Sequence, residues 1–297
     1  MGIESGNVLV GIDGGGTGCR VAITYVDASP LGQATGGPAN FTSDPDGTQR
    51  NILAALDAAC ASANLRPDDL INSVAHVGLA GVLTAQDSST IAAALPFRAV
   101  TVTDDRPTSV TGALGGRDGV LAAIGTGTIV AAHSMGVTRY FGGWGPHLSD
   151  QASGGWLARK ALRRTILAHD GLIAPSELTR QMLDHFDGAL NNIIYFARDA
   201  QGGDYAALAP LVIAHAATGD VNATLIMRQG AEYLTSCMTT ANLGEDAILC
   251  LSGGVGPHYE AFLPPELRRL IRPAAGSALD GALALAKQKH HDMGRAT

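Results

Sequence analysis

A chain of 297 residues, 46% of them hydrophobic, is long enough to bury one large core or, more typically, two of ordinary size. Its 20 basic against 27 acidic side chains give a net charge of -7, which argues against a nucleic-acid or anionic-membrane surface as a partner. No run of 18 apolar residues occurs, and the opening MGIESGN lacks the basic start and apolar run of a secretory signal, so a soluble intracellular protein is expected.

Residues 8–12 form a short apolar run and residues 20–26 (RVAITYV) a β-branched, alternating one, with the glycine-rich turn DGGGTG between them. Two strands joined in this way make a hairpin, followed by a third strand. Residues 48–65 place Ile52, Leu53, Leu56, Ala59, Cys60 and Ala63 on one helical face. A strand at 74–79, a helix at 85–95, a strand at 99–103 and a further helix complete the first half. Residues 119–134 (GVLAAIGTGTIVAAHS) restart the pattern of apolar strand, Gly-Thr turn and β-branched strand, as a duplicated domain does. Helical spacing then covers 156–168, 176–186, 189–198, 205–215 and 221–241, with Gly, Pro or Asp at the breaks. Residues 247–257 return to a strand and a glycine turn, and an alanine-rich helix closes the chain at 277–291. The fold class is therefore α/β, with a duplicated β-β-β-α-β-α-β-α core and a domain boundary near residue 115.

Three glycine turns follow apolar strands: DGGGTG, GTGT at 125–128 and SGGVG at 252–256. Such turns expose backbone N–H groups that can cradle phosphate oxygens. No lysine precedes Lys160 and no Gly-Lys pair occurs, which excludes a Walker loop, and Cys19 stands where GxGxxG needs its third glycine. A bound phosphate must then be neutralised by backbone dipoles, arginine or a metal ion, and Asp13 has the chemistry to hold Mg²⁺. Alternatively, Asp13 and Thr17 only cap a tight turn. The four scattered cysteines read as small buried hydrophobes, and the nine histidines show no metal spacing.

DGGGTGCR, VTDD, IGTGT, GGWG, LSDQASGGW and LSGGVG, in that order, resemble the BadF/BadG/BcrA/BcrD-type ATPase family within the actin-like ATPase and sugar kinase superfamily. The similarity is greatest to its N-acetylglucosamine kinase and bacterial glucosamine kinase branch, and it covers nearly the whole chain. It implies two actin-like (ribonuclease H-like) domains, residues 1–115 and 116–276, around a central cleft, with the helix at 277–291 packing back on the first. ATP and Mg²⁺ are the implied cofactors. Asp13 is assigned to the metal, and Gly14, Gly15, Gly16 and Thr17 to the phosphates. Gly125, Thr126, Gly127 and Thr128 form a second phosphate loop, and Gly253 and Gly254 approach the adenosine. Asp105 falls at the catalytic base, while Asn40, Asp105, Gly143, Trp144 and Asp150 surround the sugar.

Competing local roles exist for several of these. Asp105 could cap the helix that Pro107 begins, although neighbouring Asp104 could cap it instead; Asn40 could form a turn; Asp150 could cap the helix after it. The resemblance implies a cytoplasmic kinase acting on the 6-hydroxyl of glucosamine or N-acetylglucosamine, with a homodimer by analogy. The free amine is preferred because no apolar lining for an acetyl group can be located. The alternatives are an activator ATPase with a cysteine-held iron–sulfur cluster, for which no cluster motif is present, and a nucleotide-binding regulator without transfer.

Overall fold

The computed structural model describes residues 8–244 and 246–295; the MGIESGN opening, read above for a signal, lies outside them. Its contacts divide into two units. One comprises the described residues up to Gly116 together with those from Ala274 onward, and the other spans Arg117–Pro273.

The first unit begins with β1 (Val8–Gly15), β2 (Gly18–Tyr25) and β3 (Pro30–Gly36). Gly15 pairs with Gly18, so the first hairpin turns on Gly16 and Thr17 alone. The chain continues through α1 (Pro45–Ser62), β4 (Val74–Leu79), α2 (Ala85–Ala94), β5 (Ala99–Asp104) and α3 (Asp105–Leu114). Strand order is β3-β2-β1-β4-β5. β1 pairs antiparallel with β2 and parallel with β4, which is itself parallel to β5. This registers Asp13 with Gly78 and Leu79 with Asp104, bringing the carboxyl ends of β1, β4 and β5 to one edge. Ligands of open α/β sheets bind at such an edge.

The second unit begins with β6 (Gly119–Ile124), β7 (Thr128–Ser134) and β8 (Val137–Gly142). Six helices follow: α4 (Gly154–His169), α5 (Glu177–Asp184), α6 (Leu190–Asp199), α7 (Gly202–Ala206), α8 (Ala209–Ala217) and α9 (Val221–Ala241). Then come β9 (Ile248–Ser252) and α10 (Pro265–Arg268). Its sheet, β8-β7-β6-β9, repeats the first four positions of the other, with β9 parallel to β6. An isolated parallel bridge between Leu249 and Ile271 stands where a fifth strand would pair. Residues 205–215, expected as one helix, are divided between α7 and α8. Pro210, which has no N–H to donate, sits in the first turn of α8, where that loss is tolerated.

The last helix, α11 (Ala278–Arg295), belongs to the first unit and packs on α3, β1 and β4. The approach to α3 is close: a Cβ at Gly112 would meet the Ser277 carbonyl, and one at Gly281 the Thr108 carbonyl. β1 is thus covered on both faces, which explains why VLVGI reads as a continuous apolar run rather than an alternating one.

Candidate active site

In the first unit, Asp13 lies near the end of β1, opposite Arg20 on β2. Its Oδ2 accepts a hydrogen bond from Arg20 Nε at 3.1 Å and a second from Arg20 Nη2. The hairpin register alone sets this pair, and Arg20 is a site neighbour that motif reading missed. The Ala80 N–H donates to the Gly14 carbonyl at 2.9 Å and the Ala39 N–H to the Gly15 carbonyl at 2.8 Å. Asn40, bridged to Ala80, is thereby held at the same sheet edge. Its Oδ1 accepts from the Ser43 N–H at 3.2 Å, so Asn40 does form the turn that was its alternative role.

The adjacent acids of β5 and α3 have different roles. Asp104 is the N-cap, with Oδ1 accepting from the Arg106 N–H at 2.9 Å and its carboxylate also bonded by the Arg106 guanidinium at 2.6 Å and 2.8 Å. Asp105 is the first residue of α3 and is not needed as its cap. Burial raises the Asp105 carboxyl above its ordinary value, with the charges of Asp104 and Asp13 adding to the effect. A half-buried carboxyl displaced towards neutrality is suited to accept a proton from a bound hydroxyl.

In the second unit, Gly125–Thr128, Gly143, Asp150 and Gly253 line one cavity of about 430 Å³. The Gly125 N–H donates to the Gly127 carbonyl at 2.9 Å, closing the turn. The Gly154 and Gly155 N–H groups, which begin α4, donate to the carbonyls of Gly125 and Thr126. Ser153 caps α4, its Oγ accepting from the Trp156 N–H at 3.1 Å; the cap expected of Asp150 is therefore Ser153's instead. Asp150 is buried and its carboxylate accepts from the Thr128 N–H, although burial still raises its carboxyl. The Thr128 hydroxyl is also buried and has no hydrogen-bond partner, and Thr128 is among the residues that line the cavity. Such an orphan costs about 1–3 kcal/mol unless a ligand or water satisfies it.

Asp150 and Ala152 have left-handed backbones, φ 63° and 72°, which non-glycine residues adopt rarely. The fully buried Tyr259 anchors this loop, donating from its hydroxyl to the Ala152 carbonyl at 2.7 Å. Trp144 stands 75% exposed between Gly143 and Gly145 and does not line the cavity.

The glycines of the three turns have separable causes. A Cβ on Gly14 would collide with Leu79 and Ala39, and one on Gly253, whose φ is +80°, with the Ile124 backbone; these two are required by the fold. Gly15, Gly16, Gly125 and Gly254 have φ outside the left-handed region and no atom within 4 Å of an added Cβ. Neither conformation nor packing explains their lack of a side chain. Backbone left open in this way has room for a ligand to approach it closely.

No cluster of three metal-ligating side chains occurs among the described residues. Asp13, with Oδ2 engaged by Arg20 and Asp105 near enough to feel its charge, fits a divalent cation that arrives on phosphates and needs only one or two protein carboxylates.

The model of the BadF/BadG/BcrA/BcrD ATPase family matches residues 10–264. A glucosamine kinase, GspK, from Vibrio cholerae is 28% identical over 290 residues, covering 97% of this chain and 98% of that protein. An N-acetylmuramic acid/N-acetylglucosamine kinase from Clostridium acetobutylicum is 24% identical over 279 residues, 89% of this chain and 90% of that one. Among solved structures, a proposed N-acetylglucosamine kinase from Chromobacterium violaceum is 33% identical, with a TM-score of 0.82 over 95% of this chain and 99% of that one.

Proposed function

Because the chain belongs to the BadF/BadG/BcrA/BcrD ATPase family, we propose that it is an ATP-dependent kinase acting on the 6-hydroxyl of an amino sugar, glucosamine or N-acetylglucosamine. The observation that supports this reading is the set of glycines at Gly15, Gly16, Gly125 and Gly254, where neither packing nor a left-handed φ demands glycine and a ligand close to the backbone would. Gly14–Thr17 and Gly125–Thr128 hold the phosphates through backbone N–H groups, and the orphaned Thr128 hydroxyl gains a partner there. Gly253 and Gly254 border the adenosine. Asn40, Gly143 and Asp150 orient the sugar; Trp144 is assigned to it by the family resemblance alone, since it stands outside the cavity.

Asp105 accepts the proton as the sugar oxygen forms its bond to the γ-phosphorus and the bond to the ADP oxygen breaks. Its raised carboxyl is suited to that transfer. Mg²⁺, held by Asp13, supplies charge neutralisation to the phosphates when bound. The reading includes a cytoplasmic homodimer, the oligomeric state of which light scattering tests.

The decisive measurement is ADP production with glucosamine, N-acetylglucosamine, N-acetylmannosamine and glucose in turn. We expect strong stimulation by one of the first two. Sugar-independent ADP release would favour a simple ATPase or regulator. Asp105→Asn should retain sugar and ATP binding while losing about 10²–10⁴-fold in turnover; near wild-type turnover would remove Asp105 from the role.

A further inference from the structure

The loop that supplies Gly143, Gly145 and Asp150 to one cavity supplies residues 146–149 to a second, of about 600 Å³, within the same unit. Its opposite walls are the outward face of α4 and the stretch between α6 and α7. Helical spacing sets the α4 wall: Leu157, Ala158, Ala161 and Leu162 are buried in the core, which leaves Arg159, Lys160 and Arg163 facing the hollow. Arg198 joins them from α6, although its guanidinium is already paired with Asp199 at 2.7 Å.

No Asp or Glu lines this hollow, in a chain whose net charge is -7. Among the described residues, Arg159, Lys160 and Arg163 have no carboxylate within ion-pair distance. They are braced instead by aromatic rings, Arg159 at 5.7 Å from the Tyr205 centroid and Lys160 at 5.2 Å from the Trp156 centroid. Cation–π contacts of this kind orient a charge without neutralising it, although Asp150 lies near enough for the Arg159 charge to act on its carboxyl. Three neighbouring cations repel one another until a dianion sits among them, and arginine presents the donor fork that phosphate oxygens match. A volume of this size accommodates a small molecule. An extended polyanion would meet the repulsion of the acidic remainder of the chain.

We propose that this hollow binds a small phosphomonoester, its phosphate on Arg159, Lys160 and Arg163 and its body against Trp156 and Tyr205. The site adjoins the turn at 125–128, since Gly155 lines the hollow and donates its N–H to the Thr126 carbonyl, but the proposal does not depend on the kinase reading.

The chain has two tryptophans, Trp144 and Trp156, so Trp144→Phe leaves one reporter in the wall of the hollow. In that background, without nucleotide or divalent cation, glucose 6-phosphate should change Trp156 emission saturably. Inorganic phosphate should compete, and glucose should give no signal. Adding Arg159→Gln and Lys160→Gln should weaken binding at least tenfold with the thermal midpoint unchanged. Arg163→Gln, at an exposed position, should weaken it several-fold independently. Absence of a saturable change, an equal response to glucose, or unaltered affinity in these variants would overturn the proposal.

Discussion

Two adjacent aspartates show how context separates identical residues. Burial acts to raise the Asp104 carboxyl, but its bonds to the Arg106 side chain and N–H outweigh burial and hold it below its ordinary value. Asp105 is raised by burial and then by the charge of Asp104 itself, with the Arg106 charge opposing the rise more weakly. Asp104→Asn keeps a competent helix cap and removes that charge. The acid limb of kcat/KM should therefore move to lower pH, as a pH–rate profile of the variant would reveal. His76 offers a second titration, this time of stability. It is buried, its Nε2 is 3.2 Å from the Thr103 hydroxyl, and burial followed by the nearby Lys289 charge lowers it to about 4 from 6.5. Between these values the unfolded chain binds a proton that the folded chain refuses, so stability is full above about pH 6.5 and declines as pH falls towards about 4. The total is on the order of 3 kcal/mol. His76→Gln, which keeps a polar partner for Thr103, should flatten urea-derived stability over that window.

At the level of elements, neighbouring glycines of one turn should respond oppositely to the same substitution. Gly14→Ala forces a Cβ against Leu79 and Ala39 and should cost about 1–3 kcal/mol in stability. Gly16→Ala meets nothing in the protein and should leave the thermal midpoint unchanged while raising KM for ATP several-fold. Comparing midpoint with KM in the two variants separates packing from ligand contact. Motif reading could not make that distinction, because Leu79 and Ala39 reach Gly14 only through the parallel pairing of β1 with β4 and the Ala39–Gly15 hydrogen bond. The strands and most helices were legible, since apolar runs and Gly or Pro breaks mark them locally. The break at Pro210 was legible too, had the first-turn preference of proline been weighed against helical spacing. Tyr259 carried no such mark: its hydroxyl supports Ala152 from 107 positions away. The assignment of the α4 cap to Ser153 rather than Asp150 likewise depends on a loop whose left-handed residues are not glycine.

For the molecule as a whole, the chain leaves its first unit after Gly116 and comes back at Ala274. α11 covers β1, β4 and α3, and its Gly281, Ala282 and Ala286 are buried there. A fragment of residues 8–116 should therefore lack a cooperative melting transition, which a peptide of residues 274–295 added in trans should restore. Far-UV circular dichroism would follow both, and a cooperative transition in the fragment alone would contradict the expectation. The same discontinuity orders events on the ribosome. Domains commonly fold in the sequence in which they emerge, but here the whole of Arg117–Pro273 has been synthesised before α11 exists. The unit that starts the chain must wait, with one face of its central strand uncovered, until the unit encoded after it is complete. Nascent-chain stalling between residues 273 and 295 is thus the interval in which a chaperone would find the most to hold.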